Sequence, residues 1–345
     1  MRWAAQQAGG GVADDRTDTP LPLLEQGAKV RRFPTPEFRG MTFYEVRART
    51  VLNRVPAASQ VPFSWTVNPY RGCSHACVYC FARRTHTYLD LDSGADFDSR
   101  VVVKVNAGEA LRRDLGSPRW RREHVAMGTN VDCYQRAEGR YRLMPGIITA
   151  LRDFATPFSI LTKGSLILRD LPLLREAATV VTVTANVSVG SLDGTVWRRA
   201  EPGTPSPRKR LEVCARLNES GIPCGVLMAP ILPFLTDAPE QLADTVAAVA
   251  AAGATHASGI VLHLRPGARE WWMAWLAREH PALVPRYQAL YRGGPYADPA
   301  YRALIADRLR DLVRSHQIGA GGDRRSRRVP QAPAPQRQSE QLALL

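Results

Sequence analysis

The sequence lacks any apolar stretch that approaches the roughly 20 residues needed for a membrane-spanning helix. Its first 20 residues, MRWAAQQAGGGVADDRTDTP, also lack the apolar core of a secretory signal. These two absences predict a soluble, cytoplasmic protein. At 345 residues, the chain is long enough for two ordinary domains or for one large α/β domain with appendages.

Cysteine is scarce, with six residues in the chain, yet three of them fall within CSHACVYC as Cys73, Cys77 and Cys80. In a reducing cytosol, closely spaced cysteines hold a metal more often than they form disulfides. A tetrahedral zinc site usually takes two CxxC pairs, and no second pair exists here, so His75 or His86 would have to complete it. Alternatively, three thiolates on a four-iron, four-sulfur cluster would leave one iron open to an outside ligand.

Acidic residues are few, since 32 Asp and Glu face 46 Lys and Arg, and the formal net charge is +14. Such a balance favours anionic partners, including nucleic acid. An arginine-rich host proteome would explain the same charge equally well.

Short apolar runs alternate with helical patterns from Val61 onward, which is typical of βα units in a parallel sheet or barrel. The runs are HVAMGT (124–129), FSILTKG (158–164), VVTVTANVSVG (180–190), PCGVLMAPI (223–231) and ASGIVLHL (257–264). Two helices are predicted between them. One has Ser206 as its N-cap and Gly221 past its end, and the other ends at Gly253.

Four segments are expected from the composition. Residues 1–60 form a largely irregular N-terminal arm, 61–265 the core, 266–318 a helical extension, and 319–345 a disordered basic tail.

The cysteine spacing, with Tyr79 directly before the last cysteine, resembles the CxxxCxΦC signature of the radical S-adenosylmethionine (SAM) superfamily. The resemblance implies a partial (β/α)6 TIM-like barrel of α/β class, with flexible extensions at both ends. It also implies a [4Fe-4S] cluster on Cys73, Cys77 and Cys80, with SAM on the open iron. In that family an electron from the cluster cleaves SAM to methionine and a 5′-deoxyadenosyl radical, which abstracts a substrate hydrogen. An electron donor such as flavodoxin or ferredoxin is implied as well.

Further stretches resemble the spore photoproduct lyase-like branch of this superfamily and its uncharacterised bacterial relatives. They include NPYRGC, GTNVDCYQRAEGRY, ILTKGSLILRDLPLL, RRAEPGTPSPRKRL and GIPCGVLMAPILP. The resemblance implies that the strand ends hold SAM. The implied contacts are Thr129 and Asn130 near the methionine end, Lys163 and Ser188 on polar groups, Glu201 near the ribose, and Tyr79 with the backbone around Met228 against adenine.

One departure from this branch concerns Cys133. The related pattern reads T-D-P-Y, whereas this chain has a thiol where the proline is expected. The lyase's own hydrogen-donating cysteine lies elsewhere, at the position of Gly128, so that role is not carried over. Cys133 is a candidate hydrogen-atom donor if it faces the barrel mouth, and otherwise a buried, inert residue.

Three features bear on partners. Trp271, Trp272 and Trp275 lie on a predicted helix, where they either stack bases or pack as core. Five arginines around Trp120 either contact phosphates or form a solvated face; they are Arg112, Arg113, Arg119, Arg121 and Arg122. The last residues, Gln341 to Leu345 (QLALL), resemble the peptide with which bacterial repair proteins dock on the DNA sliding clamp, although so short a motif also arises by chance.

The sequence therefore predicts a radical SAM enzyme that repairs or modifies nucleic acid. Two alternatives stay open: a radical SAM enzyme acting on a protein or small metabolite, and a noncatalytic metal-binding module that docks on DNA machinery.

Overall fold

The computed structural model describes residues 27–56, 59 and 61–319, and the fold is built on two sheets within them. The strands are β1 (Lys29–Arg31), β2 (Thr42–Val46), β3 (Leu52–Arg54), β4 (Trp65–Val67), β5 (Tyr70–Arg71), β6 (Arg100–Lys104), β7 (Val125–Met127), β8 (Phe158–Thr162), β9 (Val183–Ser188), β10 (Cys224–Ile231) and β11 (Ala257–Val261).

The α-helices lie between and after the strands in the chain. They are α1 (Ala95–Ser99), α2 (Ala107–Leu115), α3 (Arg136–Tyr141), α4 (Leu143–Asp153), α5 (Leu171–Ala178), α6 (Gly194–Ala200), α7 (Pro207–Glu219), α8 (Pro239–Ala251), α9 (Ala268–Glu279), α10 (Val284–Leu290) and α11 (Pro299–Ser315). Four 3-10 helices span Pro36–Phe38, Phe81–Leu89, Ser165–Asp170 and Pro281–Leu283.

The larger sheet has the order β11-β10-β9-β8-β7-β4-β3. From β4 to β11 all neighbours are parallel and follow chain order, with intervening helices, while β3 pairs antiparallel at the edge. These six parallel strands confirm the predicted α/β class and the partial (β/α)6 barrel. Because the strands run in one direction, their carboxyl ends lie at the same edge, where α/β proteins place their sites.

The local signals in the sequence correspond to the elements observed. All five predicted runs contain strands, β7 to β11. Ser206 caps α7, its hydroxyl oxygen accepting from the backbone N–H of Lys209 at 3.2 Å. Gly221 and Gly253 follow α7 and α8 with φ of +79° and +66°, the left-handed conformation that glycine adopts most easily after a helix.

The N-terminal segment is more ordered than its composition predicts. Strand β1 pairs with β2, and β2 pairs with β6 in a second sheet of order β1-β2-β6-β5. Phe33, Phe38 and Phe43 are buried in the main core. Residues 29–54 are thus built into the fold and do not form a loose arm, which corrects the expectation for this part. Residues 1–26 lie outside the described range.

The tryptophan-rich stretch forms α9, and the structure answers the question of its role. Trp272 and Trp275 are 0% and 3% exposed and pack on each other with centroids 4.8 Å apart. Trp271 is partly buried and lies under the guanidinium of Arg83, 4.9 Å from its ring. The core interpretation is therefore the right one.

The other partner features differ in what the structure says about them. The five arginines around Trp120 are all exposed, and Arg112 pairs with Asp153, while the Trp120 Nε1–H donates to Thr156 at 3.0 Å. The peptide from Gln341 to Leu345 and nearly all of the predicted tail, residues 320–345, lie outside the described residues.

Among the residues that the structure describes, none of the helices combines the length and the apolar character needed to span a membrane.

Phe43→Ala tests whether the N-terminal segment belongs to the core. Phe43 is 0% exposed and its ring lies 5.4 Å from Phe33 and 5.3 Å from Phe38. We expect a loss of about 3–5 kcal/mol in the free energy of unfolding, because the cavity left behind cannot collapse fully. Urea denaturation followed by circular dichroism measures it.

Val30→Ala is the matched control, since Val30 lies on β1 of the same sheet but is 46% exposed. Its expected change is within about 0.5 kcal/mol. If Phe43→Ala lowered the free energy of unfolding by no more than this control, the segment would contribute little to the core.

Candidate active site

A cavity of about 200 Å³ lies at the carboxyl ends of the parallel strands. Each of the six contributes from its end or from the loop that follows. The lining residues include the cysteine loop after β4, 128–132 after β7, 161–163 at β8, Ser188 of β9, Leu227, Ala229 and Pro230 of β10, and Ile260, Leu262 and His263 at β11. The topology thus brings segments separated by nearly 200 positions to one place.

The three cysteines of the loop line this cavity together. Cys73 and Cys77 are each 7% exposed, and Cys80 is partly buried. The loop begins at Gly72, whose φ is +86° and where a Cβ would lie 2.8 Å from the carbonyl oxygen of Arg100. A side chain at this position would force the loop away from the neighbouring strand.

Backbone contacts from several elements hold the loop. The N–H of Cys73 donates to the carbonyl of Phe97 at 3.0 Å, and the N–H of Val78 donates to that of Ala200 at 3.0 Å. Side chains supply further bonds to the loop backbone. At Ser74, the N–H donates to Gln135 Oε1 at 2.8 Å and the carbonyl accepts from Arg136 Nη2 at 2.9 Å. At Cys77, the carbonyl accepts from Arg83 Nη2 at 2.9 Å. The thiols are therefore displayed by a loop whose backbone is held by hydrogen bonds from several elements.

The donor set fits an iron-sulfur cluster. All three cysteines are free thiols, and burial raises the pKa of each, so metal binding here releases protons. Among the described residues, no three His, Cys, Asp or Glu side chains are grouped so that they could hold one metal ion. A cluster does not require that arrangement, because each cysteine binds a different iron.

The zinc alternative fares less well on the same observations. His75 lines the cavity, but its Nδ1 lies 3.3 Å from Asp132 Oδ2. His86 is 0% exposed, does not line the cavity, and its Nε2 lies 2.8 Å from the carbonyl of Arg100. His86 therefore does not reach the cavity, and among the described residues neither histidine forms with the cysteines a group that could hold a single metal ion.

Lys163 is the cation of the cavity wall. Its Nζ donates to Ser188 Oγ, lies 3.4 Å from the carbonyl of Ala229, and lies 3.8 Å from Glu201 Oε1. The Tyr79 ring centroid is 5.8 Å away. Lys163, Ser188 and Tyr79 line the cavity, and so do Thr129 and Asn130.

Glu201 lies behind this wall and not on it. It accepts hydrogen bonds from the Tyr79 hydroxyl and from Arg210, whose side chain is 1% exposed. Burial opposes ionisation of Glu201, but Arg210 and Lys163 outweigh it and lower the pKa of Glu201 to about 2. The carboxylate therefore stays charged and fixes the orientation of both Tyr79 and Lys163.

Asp132 is a central residue that the sequence reasoning missed. Its two oxygens accept from the Thr162 hydroxyl at 2.7 Å and from the Lys163 N–H at 2.7 Å, besides the contact with His75. Burial alone would raise the pKa of Asp132, but His75 and these hydrogen bonds outweigh burial and lower it. Asp132 thus ties the cysteine loop to the end of β8. Its position directly after a predicted strand was the available signal.

Two residues singled out from the sequence lie away from the cavity. Cys133 is 0% exposed, belongs to the main apolar core, and does not line the cavity. Met228 is also 0% exposed, whereas its neighbours Leu227 and Ala229 line the cavity, because side chains alternate along β10. The structure therefore brings the backbone around Met228 to the site, but not the thiol of Cys133.

Comparison with known proteins agrees with this geometry. A model of the radical SAM superfamily matches residues 67–246. An uncharacterised protein of Mycobacterium tuberculosis is 51% identical over 326 residues, covering 94% of this chain and 95% of that protein. An uncharacterised protein of Methanocaldococcus jannaschii is 27% identical over 203 residues, covering 58% of this chain and 72% of that protein.

Among solved structures, spore photoproduct lyase with bound AdoMet and dinucleoside spore photoproduct is similar, with a TM-score of 0.59. The match covers 80% of each chain at 15% identity. At this identity, the likeness shows a common fold.

Arg210→Ala tests the buried charge network. Removing the guanidinium leaves the Glu201 carboxylate buried with a weaker partner, so we expect a loss of about 3–5 kcal/mol in the free energy of unfolding. Adding Glu201→Gln to this variant should recover part of the loss, because the unpaired charge is then absent. Urea unfolding of both variants measures these changes.

Lys209→Ala is the control on the adjacent residue of α7. Lys209 pairs with Glu212 at 2.6 Å, but both side chains are more than half exposed. Such a surface pair contributes only about 0–1 kcal/mol. An Arg210 effect no larger than that of Lys209 would contradict the role given to this network.

Proposed function

The chain belongs to the radical SAM superfamily, and from that premise we propose that its cavity directs hydrogen abstraction to a nucleic acid substrate, for repair or modification. The protein is a radical SAM enzyme with a [4Fe-4S] cluster and SAM as cofactors. Its membership excludes the noncatalytic binding module as an explanation. The observation that carries the hydrogen-abstraction part of the proposal is the cysteine loop, whose three thiols line a cavity that all six parallel strands help to build.

The cofactors supply reductive cleavage of SAM to a 5′-deoxyadenosyl radical, and the chain supplies binding and orientation. Cys73, Cys77 and Cys80 would hold the cluster. They are suited to it because the loop backbone is already fixed by bonds from α3, α6 and the residues before β6. Little reorganisation is needed when the thiols lose their protons.

SAM would bind across the strand ends. The Lys163 ammonium, which already contacts the Ser188 hydroxyl and the carbonyl of Ala229, would face the carboxylate of SAM. Thr129 and Asn130 would contact the methionine end of SAM. Tyr79 and the backbone around Met228 would border the adenine. Glu201 would orient Tyr79 and Lys163, and could reach the ribose only past them. We assign no hydrogen donor to Cys133, since its side chain lies in the core.

Two observations support a nucleic acid substrate. The net charge of +14 favours a polyanion. The chain also shares its fold with a lyase whose structure holds a dinucleoside spore photoproduct. A reductant is required by radical SAM enzymes, and we propose a small electron carrier such as flavodoxin or ferredoxin in the cytoplasm.

Cys77→Ala tests the cofactor assignment. After anaerobic reconstitution with iron and sulfide, followed by dithionite and SAM, the wild type should form 5′-deoxyadenosine and the variant should form none, because the cluster loses a ligand. Iron content and the liquid-chromatography signal of 5′-deoxyadenosine are the measurements.

Cys214→Ala is the control for loss of a thiol. Cys214 is 0% exposed on α7 and does not line the cavity, so this variant should keep both iron and product. Tightly held zinc in the wild type, with no product from any of the proteins, would overturn the assignment.

Binding to nucleic acid tests the substrate class. The reconstituted protein should bind DNA or RNA oligonucleotides at moderate salt, and the logarithm of its affinity should fall linearly with the logarithm of salt concentration. Polyglutamate of similar charge is the control for plain polyanion binding. A protein that cleaves SAM but ignores DNA and RNA would point instead to a protein or small-metabolite substrate.

A further inference from the structure

Three aromatic rings lead from the cavity to the solvent, and we call Phe81, His263 and Tyr296 the aromatic ladder. The ring centroids of Phe81 and His263 are 5.7 Å apart, and those of His263 and Tyr296 are 5.9 Å apart. Phe81 is 39% exposed and Tyr296 is 48% exposed. Rings of this size are normally buried, so two exposed ones in one row at a cavity mouth require an explanation.

The ladder is attached to the candidate active site through rigid backbone. Phe81 directly follows Cys80, and both Phe81 and His263 line the cavity. His263 forms an antiparallel bridge with Tyr296, and the N–H of Leu264 donates to the carbonyl of Pro295 at 2.6 Å. The outer ring is therefore held at a fixed place relative to the cysteine loop.

A guanidinium group lies over the ring at each end of the ladder. The Arg265 guanidinium lies 5.9 Å from the Phe81 centroid, and that of Arg302 lies 5.5 Å from the Tyr296 centroid. Arg84 is a third exposed cation, one 3-10 turn after Phe81 and beside Gly267. Within the described part of the chain, none of these three arginines has a carboxylate at ion-pair distance.

The nearby carboxylates are already engaged. Asp298 accepts from the N–H of Ala300 at 2.9 Å and caps α11, and Glu270 accepts from the N–H of Gly267 at 2.6 Å at the start of α9. Burial, followed by the charge of Arg265, lowers the pKa of His263, so its ring is neutral at neutral pH. Arg302 Nε donates to the carbonyl of Ala297 at 3.0 Å, and the surface therefore combines flat neutral rings with guanidinium groups that no carboxylate neutralises.

We propose that the aromatic ladder binds an unpaired stretch of nucleic acid, stacking bases on Phe81 and Tyr296 while Arg265 and Arg302 contact its phosphates. This inference rests on the proposed function and adds the surface and the strand state. Bases offer a π-face to aromatic side chains whatever their sequence, and cations beside the rings track the backbone. An enzyme that reacts with a base must take it out of the duplex, so a platform for unpaired bases belongs at the cavity mouth.

A peptide satisfies the same surface less well. Its backbone is neutral, so a peptide would need acidic side chains at set positions to pair with the three arginines. A nucleic acid strand carries a phosphate at every nucleotide and a flat base beside it, and therefore matches the alternation of rings and cations without further conditions.

Tyr296→Ala and Arg302→Ala test the inference in the reconstituted protein. The probes are fluorescein-labelled single-stranded DNA and RNA of about 12 nucleotides, within the usual site size of such surfaces, read by fluorescence anisotropy. Tyr296→Ala should weaken binding about tenfold, because base stacking is lost. The slope of log affinity against log salt concentration should not change, because this substitution removes no contact with a phosphate. Arg302→Ala should lower the slope by about 0.7, the value for one phosphate contact on a single strand.

Two control variants match these residues outside the ladder. Tyr88 is an exposed tyrosine at the far end of the 3-10 helix Phe81–Leu89, with 65% exposure. Arg310 is exposed on α11 like Arg302, and it pairs with Asp307. Tyr88→Ala and Arg310→Ala should leave affinity within about twofold, as expected for surface changes outside a binding site. Iron content and substrate-free formation of 5′-deoxyadenosine should be unchanged in all four variants.

The outcomes separate the two proposals. If the wild type binds the strands and Tyr296→Ala binds them within twofold of it, the ladder inference is wrong while the proposed function stands. If the wild type cleaves SAM but binds neither probe nor duplex, the proposed nucleic acid substrate is wrong and the inference falls with it. Duplex bound more tightly than single strands, with the ladder variants unaffected, also overturns the inference.

Discussion

The structure around the site depends on one constraint: a short loop must display three thiols on one cavity wall while its own backbone is buried. Buried N–H and C=O groups need partners, and this loop finds them across the fold. Phe97 accepts at its start, Gln135 and Arg136 bond its middle, and Ala200 accepts near its end. The loop is therefore positioned by α1, α3 and α6, three elements that are far apart in the sequence.

Electrostatics imposes a second condition on the same wall. Asp132 and Glu201 are buried carboxylates, and burial alone would raise the pKa of each. His75 and the bonds from β8 keep Asp132 ionised, and Arg210 with Lys163 keeps Glu201 ionised. Each carboxylate in turn fixes the cation or donor that faces the cavity. The buried charges therefore contribute less to the net free energy of folding than to holding these side chains in place.

Much of the fold could be predicted from the sequence because its signals are local. Apolar runs bounded by caps predict β7 to β11 and the helices between them, and the spacing of three cysteines singles out the loop whose thiols line the cavity. Residues 29–54 escaped prediction because their strands are short and their phenylalanines become a core only when β6 and α3 are in place. Asp132 and Arg210 escaped for a similar reason. Their roles depend on pairings that residue types and spacing do not reveal, of Asp132 with His75 and of Arg210 with Glu201.

The aromatic residues show why composition alone could not locate a binding surface. The most conspicuous cluster, on α9, is internal: Trp272 packs on Tyr287 at 5.7 Å and its ring lies 6.5 Å from that of Tyr79. The cluster therefore links the C-terminal helices to the buried side of the cysteine loop. Because packing closes that side, a partner meets the loop on its exposed side, where the ring of Phe81 follows the last cysteine. The same loop thus carries the three cavity-lining thiols on one side and begins the aromatic ladder on the other, so that any substrate held by this ladder reaches the cavity beside Cys80.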